Sequence, residues 1–111
     1  MLALMEQFRI LIESSSTEAN QALARLYKQT FGTELRDRSV IFNLGSHPGM
    51  KYEISNHSKI INTTILQGYY QYMVVSYRNY TMILAFAGNE SFLLVNPKDR
   101  KDISRLIHRH R

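Results

Sequence analysis

Leu4, Phe8, Leu11 and Ile12 fall at spacings that place them on one face of a helix, with Glu6, Arg9 and Glu13 elsewhere. The serines from Ser14 onward break that rhythm. Ser15 to Glu18 has the form of a capping box: the hydroxyl accepts from the amide three residues on, and the glutamate reaches back. A second helix is predicted behind it. Ala19, Leu23, Leu26 and Tyr27 lie on one stripe that Phe31 extends, and Gly32 supplies the stop. Residues 1–32 therefore read as a helix pair.

From about residue 39 the apolar period drops to two. Val40, Phe42 and Leu44 alternate, Gly45 to Gly49 reads as a turn, and Met50, Tyr52 and Ile54 alternate again. Asn56 to Ser58 suggests another turn before the β-branched run Ile60 to Ile65. Beyond Gly68, Tyr70, Tyr72 and Val74 share one parity, and Tyr69, Met73 and Val75 the other. Arg78-Asn79 and Gly88-Asn89 are turn signals around Tyr80 to Phe86, and Phe92 to Val95 closes the series. Residues 39–95 are thus expected to form an antiparallel meander of five to six strands.

The final segment, residues 97–110, is predicted to be an amphipathic helix. Asn96 suits the cap, Pro97 the first helical position, and Asp99 the positive helix end. Ile103, Leu106 and Ile107 form its narrow apolar stripe. Helices, then strands, then a helix imply an α+β fold, and 111 residues without an internal linker imply one domain spanning 1–111.

Composition adds two constraints. Cysteine is absent, which excludes disulfides, a thiol nucleophile and thiolate-bound metal centres. The longest apolar runs fall far short of the ~20 residues of a membrane helix, and Glu6 and Arg9 interrupt the first apolar stretch, so neither a transmembrane segment nor a signal peptide is expected. Asn56, Asn62, Asn79 and Asn89 each open a glycosylation acceptor triplet, but the missing cysteines and leader favour a cytoplasmic chain.

Charge changes the picture more. The net charge is +5, and the last fourteen residues hold six cations against two carboxylates, leaving +4 there. Lys98, Lys101, Arg105 and Arg109, three or four residues apart, form a cationic ridge on the last helix. Such a ridge fits nucleic-acid phosphates, with strong salt dependence, or an acidic protein or anionic membrane surface; it equally fits a solvated face whose cations complement the helix dipole.

Seven tyrosines are present, five of them between residues 69 and 80. On an open sheet face they would stack bases, with Tyr70 and Tyr72 the chosen pair; half-buried, they would simply pack. His47 and His57 lie in expected loops, and His108 and His110 diverge on the last helix, so no metal site is predicted. No phosphate loop, nucleophile elbow or metalloprotease helix occurs.

The expectation is a small non-enzymatic binding or regulatory domain without cofactor. It would engage an anionic partner, nucleic acid first, through Lys98, Lys101, Arg105 and Arg109. A protein–protein module or homodimer assembling through Leu4, Phe8 and Leu11 is the alternative, and a metal-independent ribonuclease using His47 or His57 the third. From Lys59 to Ile107, the strand series closing in Asn96 to Arg100 and the helix after it resemble the end of bacterial pleckstrin-homology-like domains. That resemblance implies the local fold and assigns no functional residue.

Overall fold

The computed structural model describes residues 17–66 and 69–110. Helix α1 spans Thr17–Phe31 and ends where Gly32 turns to φ +74°, its amide donating to the Lys28 carbonyl at 2.8 Å. The first predicted helix and the capping box at Ser15 lie outside the described residues. A 3-10 turn at Arg38–Val40 leads into β1, Ile41–Asn43, and a second at Leu44–Ser46 leads into helix α2, Pro48–His57. The strands β2, Ser58–Leu66, β3, Tyr70–Tyr77, β4, Tyr80–Ala87, and β5, Glu90–Val95, follow as an antiparallel meander. A 3-10 turn at Pro97–Asp99 then opens helix α3, Arg100–Arg109.

The α+β class holds, with three helices and a five-stranded antiparallel sheet among the described residues. Two expectations are corrected. Val40, Phe42 and Leu44 do not form one strand: only Ile41–Asn43 is extended, and Val40 and Leu44 are buried from the 3-10 turns on either side. Met50, Tyr52 and Ile54 are helical. Pro48 occupies the start of α2, and Met50 and Ile54, four apart, are buried on one face, while Tyr52 between them is 68% exposed. The expected turn at Asn56 to Ser58 vanishes with that strand. Helix α2 runs directly into β2, and the Ser58 hydroxyl donates to the Ile54 carbonyl.

The sheet order is β1-β5-β4-β3-β2, so β1 sits at the edge opposite β2 and the chain crosses the whole sheet between them. Residues opposed in register share a face. One face carries Tyr72, Ala85, Phe92 and, across β5, Ile41. Helix α1 covers it: the Tyr72 hydroxyl donates to the Ala19 carbonyl at 3.0 Å and the Tyr27 hydroxyl to the Val95 carbonyl at 2.7 Å. The other face carries Tyr77, Met82, Val95 and Phe42, and α2 and α3 cover it. There the Tyr77 hydroxyl donates to Glu53 on α2 at 2.7 Å, and the Tyr80 hydroxyl to Asp102 on α3 at 3.2 Å. Helices on both faces explain why β4 and β5 carry continuous buried runs rather than alternating ones. The tight links between β3 and β4 and between β4 and β5 turn at Arg78, φ +54°, and Gly88, φ +62°.

Candidate functional site

The last helix is anchored before its charges are placed. The Asn96 carboxamide oxygen accepts from the Lys98 amide at 3.2 Å, which closes the turn, and Pro97 pre-sets the entry. Ile103, Leu106 and Ile107 are buried against the sheet. That packing fixes the rotation of α3, so Lys98, Lys101, Arg105 and Arg109 are all exposed.

Two of these four share a site. Lys101 and Arg105 line an open cleft of about 710 Å³ between the first turns of α3 and the β1 edge of the sheet, together with Arg100 and Ser104. The opposite wall is Arg38 and Ser39 from the turn before β1, with Ile41 and Phe42 from β1 itself. Among the described residues, four cations thus converge with one carboxylate, Asp37.

That carboxylate is already engaged. Its Oδ1 accepts from the Ser39 amide at 2.9 Å and caps the turn that carries Arg38. Hydrogen bonds from the Ser39 backbone and side chain, with Arg100 and Arg38 nearby, hold its carboxyl below the usual range, so it stays ionised. Arg100 donates from Nη1 to the Ser39 hydroxyl at 3.0 Å, which ties α3 to the turn and fixes this guanidinium at the cleft. Arg105 is 3.5 Å from Asp102 in a solvent-exposed pair of the kind that contributes little to stability.

Lys98 sits apart, in a smaller depression with Thr30, Asn79 and Asp99, and Arg109 lies in the last turn, outside both hollows. Neither these two nor Lys101 has an ion pair among the described residues. The ridge read from spacing therefore begins in the turn before α3 and runs along that helix, but only Lys101 and Arg105 line the larger cleft.

The expected stacking pair is corrected. Tyr70 is 8% and Tyr72 1% exposed, because α1 lies on their face, so neither ring is open to a base. The exposed neighbour is Tyr69, of the other parity. Leu4, Phe8 and Leu11, the expected partner interface, lie outside the described residues.

His47 and His57 stand at the two ends of α2, about 15 Å apart, and are not brought together. His57 instead joins a second cluster around Glu53, with Nε2 at 3.9 Å and Arg78 at 4.0 Å from that carboxylate. The Tyr77 hydrogen bond first, then His57, His110 and Arg78, keep the Glu53 carboxyl below the ordinary range. This cluster ties α2 to the β3–β4 turn. Among the described residues no group of histidines and carboxylates is placed to hold a metal ion, and no helix is long and apolar enough to cross a membrane.

Reading the sequence alone misses Arg38, Ser39 and Phe42. The one available signal is the alternation Arg36, Asp37, Arg38 just ahead of an apolar run, and its charges nearly cancel in the net figure for residues 1–97. No protein-family model, no curated protein and no solved structure matches the chain.

Proposed function

We propose that this chain is a binding domain, not a catalyst, that engages a phosphate-bearing polyanion, nucleic acid first, through the basic face of α3 and the cleft beside it. One observation carries the reading: Arg38, Arg100, Lys101 and Arg105 converge on one open cleft, and the only carboxylate lining it among the described residues, Asp37, is committed to Ser39. Guanidinium groups suit phosphate because their planar donors match two of its oxygens at once. The exposed Lys98 and Arg109 extend the cationic track beyond the cleft at either end.

The test is affinity for a short DNA or RNA across a salt series. Engagement of three or four phosphates gives a slope of roughly −3 in log affinity against log salt. Lys101→Glu with Arg105→Glu is expected to abolish binding while leaving thermal stability intact, since both side chains are exposed. Absence of binding at low salt removes the proposal.

A further inference from the structure

We infer that the cleft takes a single strand of nucleic acid, with one phosphate held by Arg100, Lys101 and Arg105 and the neighbouring base laid against Phe42. This rests on the polyanion reading above and adds to it the form of the strand and a subsite for its base.

The two walls of the cleft differ in chemistry. The α3 wall is cationic and hydroxylic: Arg100, Lys101 and Arg105 with Ser104 between them. The facing wall ends at β1, where Phe42 is apolar and partly exposed, while Ile41 beside it belongs to the other sheet face. Phe42 packs on the core with part of its surface and is only partly buried. It lies on the sheet face that α3 covers, paired in register with the fully buried Leu93. Its position follows from the short β1: three residues are enough to seat Ile41 and Asn43 on the α1 face and turn Phe42 alone toward α3.

A phosphate needs the cationic wall but has no use for an aromatic one. A nucleotide with an unpaired base uses both, because every base has a π-face that stacks on a ring while its backbone follows positive charge. In a duplex the bases are stacked on each other, so a duplex can offer this cleft phosphates but no free base face for Phe42. A peptide of acidic residues alone, such as polyglutamate, matches the charge but brings no ring to Phe42. Among the described residues β1 ends the sheet, and two of its three residues, Ile41 and Phe42, line the same cleft.

The experiment compares three probes of equal length at one low salt concentration: an ordinary single strand, the same strand with abasic sites, and the duplex. Each is titrated against the wild-type chain, Phe42→Leu, Phe42→Trp, and Lys101→Glu with Arg105→Glu. Leucine keeps apolar volume on the core while removing the ring, and retained thermal stability confirms that the variant folds. The ordinary strand is expected to bind tightest, to lose roughly tenfold with Phe42→Leu, and to keep its affinity with Phe42→Trp. The abasic strand is expected to be indifferent to both Phe42 changes. The double charge reversal is expected to abolish all three interactions.

Equal affinity for duplex and single strand overturns this inference, as does a Phe42→Leu loss of the same size on the abasic strand. Displacement of the strand by a polyglutamate of equal charge at equal concentration overturns it too. If charge reversal abolishes binding while Phe42→Leu leaves it unchanged, the polyanion reading stands and the base subsite falls. If no probe binds the wild-type chain, both fall. Should Phe42→Leu prove unstable, the wild-type preference for the ordinary over the abasic strand decides the matter alone: no preference overturns the subsite.

Discussion

Tyr27 shows how much one hydroxyl can decide. Its ring is wholly buried between α1 and the sheet, and its oxygen donates to the Val95 carbonyl 68 residues away. Tyr27→Phe keeps the ring and removes the donor, leaving that carbonyl short of a partner in a dry site. A loss of about 1–2 kcal/mol is expected in urea unfolding, with no change in binding at the cleft. The apolar stripe on α1 identified Tyr27 as a core residue from sequence. It did not identify the partner, because spacing along a helix says which face is inward and nothing about what waits there. The same limit misplaced Tyr70 and Tyr72: parity grouped them correctly, but the choice between open and covered faces belongs to α1.

At the scale of the element, α2 is the instructive case. Met50, Tyr52 and Ile54 satisfy a strand's period of two, while Met50 and Ile54 alone also satisfy the helix spacing of four, so five residues cannot separate the readings. Pro48 was the discriminating signal, since its fixed φ and missing donor are harmless at a helix start. The two readings differ in what they require of Tyr52. A strand buries it with Ile54, whereas α2 exposes it to 68% and leaves Ile54 at 1%. Tyr52→Lys is therefore expected to shift stability by less than about 0.5 kcal/mol, and Ile54→Lys by more than about 3 kcal/mol, through an unpaired buried charge. Circular dichroism melts of the two variants check this, and equal effects would contradict the helix. At the far edge, β2 is long, with Ile60, Ile61 and Ile65 exposed, but the register breaks between Ile60 and Asn62 and Lys59 sits near its start. A bulge and a lysine are the devices that keep such an edge from pairing indiscriminately.

Over the whole molecule, stability is bounded on both sides of neutrality by buried phenols and by hydrogen-bonded carboxylates. Burial pushes the phenols of Tyr27, Tyr72 and Tyr77 up to about 12. The folded state then favours the neutral phenol. Its contribution is complete below the unfolded value near 10 and is lost as pH rises toward 12. In a spectrophotometric titration these three of the seven tyrosines are expected to ionise late and together with loss of the fold. On the acid side, Glu53, Asp37 and Glu34 are held low, by Tyr77, Ser39 and Lys28 respectively. Their contribution is present above the unfolded carboxyl values and lost as pH falls through the folded ones. The urea midpoint is expected to drop below about pH 4, and less steeply in Tyr77→Phe, which removes the donor to Glu53.

Local chemistry by itself determined the helix at Thr17–Phe31, the four-strand meander from Ser58 to Val95 with its two tight turns, the capped last helix and its cationic ridge. Each depends on neighbours within a few residues, where periodicity, caps and positive φ leave a direct trace. What only the tertiary structure decided is the crossing that carries β1 to the edge beside β5. That placement brings Arg38 and Phe42 opposite Arg100, Lys101 and Arg105, about sixty positions later in the chain. A cleft made by two distant segments has no period and no motif, since nothing in either segment encodes the distance between them until both are packed on the same sheet.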